Sequence, residues 1–301
     1  MNILLVLLGP TGVGKTEWSL SVAEKLNSPV LSADSRQIYK GMSICTAAPT
    51  KVQLERVPHH FVEILPPEEY YSASIYEQDA LSLLQELHKT HKVVVMTGGS
   101  MMYIDAVCNG IDDIPTIDSK LRKDIQDLYK KEGLDPIRRQ LKILDPLFYS
   151  EVDLKNPKRV IHALEVCLMA GKPYSSLRTN PKKDRPFKII KVGFNMDREK
   201  LYDRINKRVD LMIRDGLIDE ARGFYPLRHL NSLNTVGYKE LFEYFDGNCT
   251  LDYAIDKIKQ HSRNYARKQL TWFKKDKNIN WINLSDSEDM VVESILNLLP
   301  Q

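Results

Sequence analysis

The chain has 301 residues, 43% of them hydrophobic, enough to bury the core of one large or two ordinary domains. Its 43 Lys and Arg against 40 Asp and Glu leave a net charge of +3, too small to name a partner. The four cysteines, Cys45, Cys108, Cys167 and Cys249, are widely spaced without a Cys-x-x-Cys pair. That spacing excludes a zinc ribbon or a disulfide framework and predicts free, buried thiols in a reducing compartment.

The first predicted element is the apolar run at 3–8, which reads as a central parallel strand covered on both faces. It lacks the positive flank of a signal peptide and leads straight into a glycine-rich turn. No other segment approaches transmembrane length, so a cytoplasmic or organellar-soluble protein with no membrane association is expected.

The turn is Gly9-Pro10-Thr11-Gly12-Val13-Gly14-Lys15-Thr16, which fits the ATP-binding P-loop pattern of Gly, four residues, Gly, Lys, Ser/Thr. Its glycines allow successive N–H groups to face one anion at a helix N-terminus. Lys15 is placed to bridge phosphates, and the Thr16 hydroxyl to coordinate Mg²⁺. A helix is predicted over 16–26 and a second short strand over 30–33. Asp34 follows at that strand's carboxyl end, where open α/β sheets bind ligands. It reads either as a helix cap or as a general base. Gln37, in the run Asp34-Ser35-Arg36-Gln37, carries an amide able to pair with the edge of an adenine.

Helical periodicity returns over 72–88, and a third buried strand over 93–96 ends in Thr97-Gly98-Gly99-Ser100. A nucleotide-hydrolysing P-loop protein places a Mg²⁺-holding acid at such a strand end. Here a second phosphate-friendly turn takes its place, which favours a pyrophosphate that leaves intact. Strand alternating with helix predicts a parallel α/β sheet with right-handed crossovers.

Beyond Pro115 the pattern is helical, with apolar repeats through 121–141 and a helix over 157–170 closed by Gly171. The basic, proline-punctuated stretch 178–186 reads as a linker, and 187–194 returns to strand character. The predicted organisation is therefore a P-loop NTPase-like parallel-sheet core, 1–115 and 187–301, with a helical insertion domain at 116–186. The remainder reads as mainly helical, with an apolar stripe Leu201, Ile205, Val209, Met212, Ile213 and a long basic helix over 252–273. Two basic runs with interleaved aromatics, 155–185 and 253–281, suggest a polyanionic partner.

Several further motifs complete an ordered series: His59-His60-Phe61, the segment 156–166, Gly216 to Glu220, Val236-Gly237-Tyr238-Lys239-Glu240, and 265–273. With the P-loop, the 34–37 run and Thr97-Gly98-Gly99-Ser100, they span nearly the whole chain. In this order they resemble the tRNA dimethylallyltransferase (tRNA isopentenylpyrophosphate transferase) family. The resemblance implies transfer of a dimethylallyl group from its pyrophosphate to the exocyclic N6 amine of the adenosine 3′ of a tRNA anticodon. Asp34, Lys15 and Ser100 match catalytic positions, with Asp34 as the base. Residues 9–16 would hold the leaving pyrophosphate, and Arg204 and Arg208, one helical turn apart, could reach it. The tRNA anticodon stem-loop would be met by Asp34, Ser35, Arg36, Gln37, Ser100, Arg122, Lys158, Arg159, Val160, Ile161 and His162. Gly237, Tyr238, Lys239, Arg267 and Lys268 complete that surface.

Mg²⁺ at Thr16 is the implied cofactor, dimethylallyl pyrophosphate the co-substrate, and a monomer the expected state. Three positions depart from the family's usual pattern: Ser100 for Thr, Met101-Met102 for Gly-Leu, and His162 for Arg. The paired His59 and His60 read as packing residues, since adjacent side chains diverge and no third metal ligand is evident. Three alternatives remain open: a P-loop small-molecule kinase, a free-adenylate isopentenyltransferase and a non-catalytic RNA-binding module.

Overall fold

The computed structural model describes residues 1–179, 182–284 and 288–300. Two compact units emerge: Met1–Cys108 with Arg185–Gln301, and Asn109–Asp184 between them in the chain. Asn180 and Pro181 of the expected linker, and Ser285, Asp286, Ser287 and Gln301, lie outside the described residues.

In the first unit, β1 (Ile3–Leu8) is buried along its whole length. Helix α1 (Lys15–Leu26) begins at a left-handed Gly14 and ends at Asn27, also left-handed. Strand β2 (Val30–Ala33) follows, then the short helices α2 (Ser43–Thr46) and α3 (Lys51–Arg56). His59–His60 form β3, a two-residue strand. Helix α4 (Ala73–Leu87) is capped by the Ser72 hydroxyl, which accepts from the Ile75 N–H. Strand β4 (Val93–Gly98) runs into α5 (Met101–Asn109), so Met101 and Met102 open a helix rather than a loop.

The second unit contains five helices among its described residues: α6 (Ser119–Glu132), α7 (Asp135–Leu144), α8 (Pro146–Glu151), α9 (Pro157–Ala170) and α10 (Tyr174–Leu177). Its core holds Ile125, Ile137, Leu141, Phe148, Val160, Ile161 and Leu164. The Asp145 carboxylate caps α8 through the Phe148 N–H and also accepts from the backbone and hydroxyl of Ser175. The expected 116–186 insertion therefore corresponds to a unit that begins somewhat earlier, at Asn109.

The chain then re-enters the sheet as β5 (Lys188–Asn195), followed by α11 (Arg198–Arg214), α12 (Leu217–Phe224), α13 (Tyr238–Phe245) and α14 (Leu251–Phe273). Strand β6 (Ile279–Asn283) and α15 (Glu288–Leu296) close it. Strand β6 is a single strand within the stretch past 194 that was expected to be mainly helical. Its burial is mixed because it is an edge strand with one neighbour, β5.

The sheet has six strands among the described residues, in the order β3-β2-β4-β1-β5-β6, and every recorded pairing is parallel. Two apolar layers cover it: one holds Leu4, Val6, Leu8, Leu31 and Met96, the other Leu5, Leu7, Val30, Val95 and Val192. Because side chains alternate along a strand, β1 feeds both layers and must be apolar throughout. The path from β1 to β2 steps over β4, opening a crevice at the strands' carboxyl ends.

Candidate active site

The loop after β1 takes the shape its glycines permit. Gly12 and Gly14 have φ of 81° and 97°, a region costly for side-chain-bearing residues. A Cβ on Gly14 would also stand 2.8 Å from Nη2 of Arg204, and one on Gly12 2.6 Å from Cγ1 of Ile205. Helix α11 therefore lies directly on the loop and brings Arg204 there. Arg208, one turn on, donates from Nη2 to the Thr11 hydroxyl. The Arg208 Nε is buried without a hydrogen-bond partner among the described residues. An unpaired buried guanidinium nitrogen beside an anion loop marks a place where a ligand oxygen gains a full hydrogen bond.

Lys15 does not reach into open space. Its Nζ donates to the carbonyls of Gly9 and Pro10, both at 2.9 Å. Burial pushes its pKa down to about 7, the nearby Arg208 guanidinium adds to this, and Asp34 opposes it. Arg208 is lowered in turn, chiefly by burial. The loop thus holds cationic groups under electrostatic pressure, which a bound polyanion would relieve.

Asp34 leaves the end of β2 with Oδ1 accepting from the Arg36 N–H at 2.9 Å and the Gln37 N–H at 3.3 Å. The capping role is thus met, and it engages only one carboxylate oxygen. One oxygen orders the turn, while the other accepts from no donor among the described residues. Ser100 secures this turn from β4: its Oγ accepts from the Ser35 N–H at 2.8 Å, and its own N–H donates to the Ala33 carbonyl. A Cβ on Gly98 would come within 2.2 Å of that same carbonyl, so glycine is what lets the two strand ends close.

Asp34, Ser35, Arg36, Ser100, Thr11, Arg208, Lys239 and Lys268 line one cleft of about 510 Å³. Other walls of it are not among the residues expected from sequence: Cys45 and Thr46 from α2, Asn234 and Thr235 ahead of α13, and His261 and Asn264 from α14, where Tyr265 opens the 265–273 motif. The α14 signal was available, because His261, Asn264, Tyr265 and Lys268 share one helix face by their spacing. Burial raises the Tyr265 phenol to about 12, so it stays protonated at neutral pH.

Other expected site residues stand elsewhere. The Gln37 amide, expected at the edge of a base, is engaged within the protein. Its Nε2 donates to the carbonyls of Thr46 and Ala47, and its Oε1 accepts from the Ser32 hydroxyl. Gln37 instead ties the cleft wall to β2. Gln37→Ala should lower unfolding free energy by about 1 kcal/mol, the usual net worth of hydrogen bonds between partly buried groups, as measured by urea denaturation.

Tyr238 is also withdrawn from the RNA-facing surface. It is fully buried, and its hydroxyl donates to Glu220 at 2.7 Å. Gly237 caps α13, where a Cβ would stand 2.7 Å from Cys45 Sγ. Arg267 is exposed but does not line the cleft, and neither Lys15, Thr16 nor Arg204 does. Of the cysteines, Cys108 and Cys167 are buried, whereas Cys45 and Cys249 are only partly so. His59 donates from Nδ1 to the Val57 carbonyl at 2.7 Å, and burial lowers the pKa of both His59 and His60.

In the Asn109–Asp184 unit, Val160 and Ile161, expected among the tRNA contacts, have their side chains buried in the unit's apolar core. Lys155, Lys158 and Arg159 are exposed and His162 partly so. Arg122 and His162 both approach the buried Glu165 carboxylate, at 3.6 and 3.8 Å.

Fold and cleft together define a P-loop-type α/β protein whose anion loop faces a carboxylate rather than a strand-end metal acid. The chain belongs to the IPP transferase family, whose model matches residues 37–276. It is 62% identical over 288 residues to tRNA dimethylallyltransferase 2 of Parabacteroides distasonis, covering 96% of each chain. It is 61% identical to tRNA dimethylallyltransferase 1 of Phocaeicola vulgatus, covering 94% of each. Among solved structures, the tRNA isopentenylpyrophosphate transferase of Bacillus halodurans matches with a TM-score of 0.73 at 36% identity, over 99% of this chain and 95% of that one. A eukaryotic dimethylallyltransferase acting on tRNA shares the fold, with a TM-score of 0.82 at 22% identity, over 100% of this chain and 81% of that one. Among the described residues no helix is long and apolar enough to cross a membrane.

Proposed function

We propose that the chain transfers a dimethylallyl group from dimethylallyl pyrophosphate to the N6 amine of the adenosine 3′ of the anticodon in tRNA. The observation that carries this reading is the shared cleft, which Asp34 lines together with Thr11 and Arg208. A kinase of this fold is disfavoured by β4, which ends in Thr97 and Gly98 rather than in a carboxylate. The names of the relatives, and their coverage end to end, support tRNA as the acceptor.

The target adenosine must leave its stack to enter the cleft, and aromatic and cationic groups of α14 border that entry. As the allylic C–O bond breaks, negative charge grows on the departing pyrophosphate. Arg208, which lines the cleft, is the cation that would meet that charge first, and Lys15 would add to it on turning from the Gly9 and Pro10 carbonyls. The N6 nitrogen forms the new C–N bond and releases its proton to the unpaired oxygen of Asp34. An exocyclic aromatic amine is a weak nucleophile, so holding it against the allylic carbon supplies much of the rate.

Among the described residues no group of three or more His, Cys, Asp or Glu could hold a metal by itself. Thr16, with the pyrophosphate's own oxygens, is a hard oxygen donor set that suits Mg²⁺, which keeps most of its waters. When bound, Mg²⁺ would supply charge neutralisation to the leaving group.

The test is incubation of the protein with allyl-labelled dimethylallyl pyrophosphate, Mg²⁺ and unmodified tRNA. Label should enter tRNA at that adenosine, and replacing the adenosine with guanosine should abolish it. Label entering only free adenylate, or none entering tRNA, would overturn the proposal. We assign the exposed Lys155, Lys158 and Arg159 to RNA phosphates. Neutralising all three should weaken tRNA binding and reduce the slope of log K against log salt by about one for each phosphate no longer neutralised. An unchanged slope would return these residues to a structural role.

A further inference from the structure

Gln269 lies on α14 and is buried at 2% exposure, within a segment whose other polar members are mostly solvent-facing. Its Oε1 accepts from the Thr11 N–H at 2.8 Å, and its Nε2 donates to the Gly99 carbonyl at 2.8 Å. One amide thus spans the two loops of the site, the anion loop after β1 and the turn that presents Ser100. The fit is close on both sides, since a Cβ on Gly99 would meet the Gln269 Nε2 at 2.3 Å. Thr11 is held twice, through its N–H by Gln269 and through its hydroxyl by Arg208.

Only a primary amide satisfies this arrangement. The Thr11 N–H needs an acceptor and the Gly99 carbonyl needs a donor, in opposite directions across one short gap. Both partners are backbone groups, so substitution leaves buried main-chain polar atoms without partners.

We infer that Gln269 is the positioning residue that sets the shape of the pyrophosphate loop and its spacing from the Ser100 turn. This inference rests on the reading of that loop as the pyrophosphate site. Gln269 touches no reacting atom in this role. It acts by orienting Thr11, and with it the cleft face of the loop, toward the leaving group. The same α14 carries His261, Tyr265 and Lys268 on the cleft wall, so one helix sets both the acceptor's surroundings and the donor's grip.

The experiment compares Gln269→Met and Gln269→Glu with the unaltered full-length protein. Methionine keeps the volume and loses both bonds. Glutamate keeps the acceptor for Thr11 and loses the donor to Gly99. The affinity for inorganic pyrophosphate is measured by calorimetry, tRNA affinity by fluorescence anisotropy without the allylic substrate, and turnover with both substrates.

Both variants should bind pyrophosphate about tenfold more weakly or worse, with a raised KM for the allylic substrate and a lowered kcat. Their affinity for tRNA should stay within about twofold. Unaltered pyrophosphate affinity in either folded variant would overturn the inference. So would a parallel loss of tRNA binding and thermal stability in both, since a purely structural role produces that pattern. If Gln269→Met fails to fold, Gln269→Glu decides the matter by the same readouts. Should the unaltered protein fail to label tRNA while the variants still lose pyrophosphate, the proposed reaction falls and the role of Gln269 stands.

Discussion

Asp34→Asn should lower the single-turnover rate of transfer to tRNA by about 10²-fold or more, the usual cost of removing a general base. The substitution is conservative for structure. An asparagine carbonyl oxygen can take over the role of Oδ1 toward the N–H groups of Arg36 and Gln37, so the turn is kept. What is lost is the negative charge and the second carboxylate oxygen, which the turn does not use. Affinity for tRNA should therefore stay close to that of the unaltered protein, and so should thermal stability. A rate unchanged in single turnover would remove Asp34 from proton transfer. Loss of tRNA binding instead of rate would make it a recognition residue.

Lys15→Met should have an effect of similar size but on the other substrate. Its Nζ is folded onto the Gly9 and Pro10 carbonyls, and its pKa is pushed down to about 7 by burial and by Arg208. A bound pyrophosphate offers that ammonium strong acceptors and negative charge, which raises the pKa again. Binding at pH 8 should accordingly take up about one proton, read from calorimetry in buffers of different ionisation enthalpy. Lys15→Met should abolish that uptake, weaken pyrophosphate binding and lower turnover by about 10²-fold or more, as expected when a preorganised charge is removed.

The same shift has a sign for stability. Between about pH 7 and the ordinary lysine value of 10.5 the unfolded chain binds more protons at this position than the folded one. Stability of the ligand-free protein should therefore rise with pH across that window through Lys15. The Lys15→Met variant should lack this contribution in urea titrations. A proton uptake identical in the two proteins would contradict the assignment.

Much of the core was legible because its signals are local. An uninterrupted apolar run, a glycine pattern and an acid at a strand end lie within residues 3–34, and the sheet places them as their order suggests. The failures have a common physical origin. A motif is a line of residues, whereas a helix exposes only part of each turn. Val160 and Ile161 sit in a basic motif yet face the core, and Tyr238 is buried beside the exposed Lys239.

The partners of Gln37 are not legible in the sequence, because Thr46 and Ala47 stand at the end of the four-residue helix α2, too short to show a periodicity. Strand β6 was missed because an edge strand is only partly buried and follows a basic run without a clear alternation. Gln269 was hidden most thoroughly: its two partners, Thr11 and Gly99, lie 258 and 170 residues away in the chain.

In the proposed reaction the anion loop decides the chemistry: it would grip a diphosphate that departs whole, instead of cleaving a nucleotide. The most direct measurement uses dimethylallyl diphosphate labelled with ³²P in both phosphates, together with unmodified tRNA, and follows the label by chromatography. Intact pyrophosphate should appear in amounts equal to the dimethylallyl groups found on tRNA, with no requirement for ATP. Release of inorganic phosphate in step with turnover, or a reaction that runs only while ATP is consumed, would contradict that role for the loop.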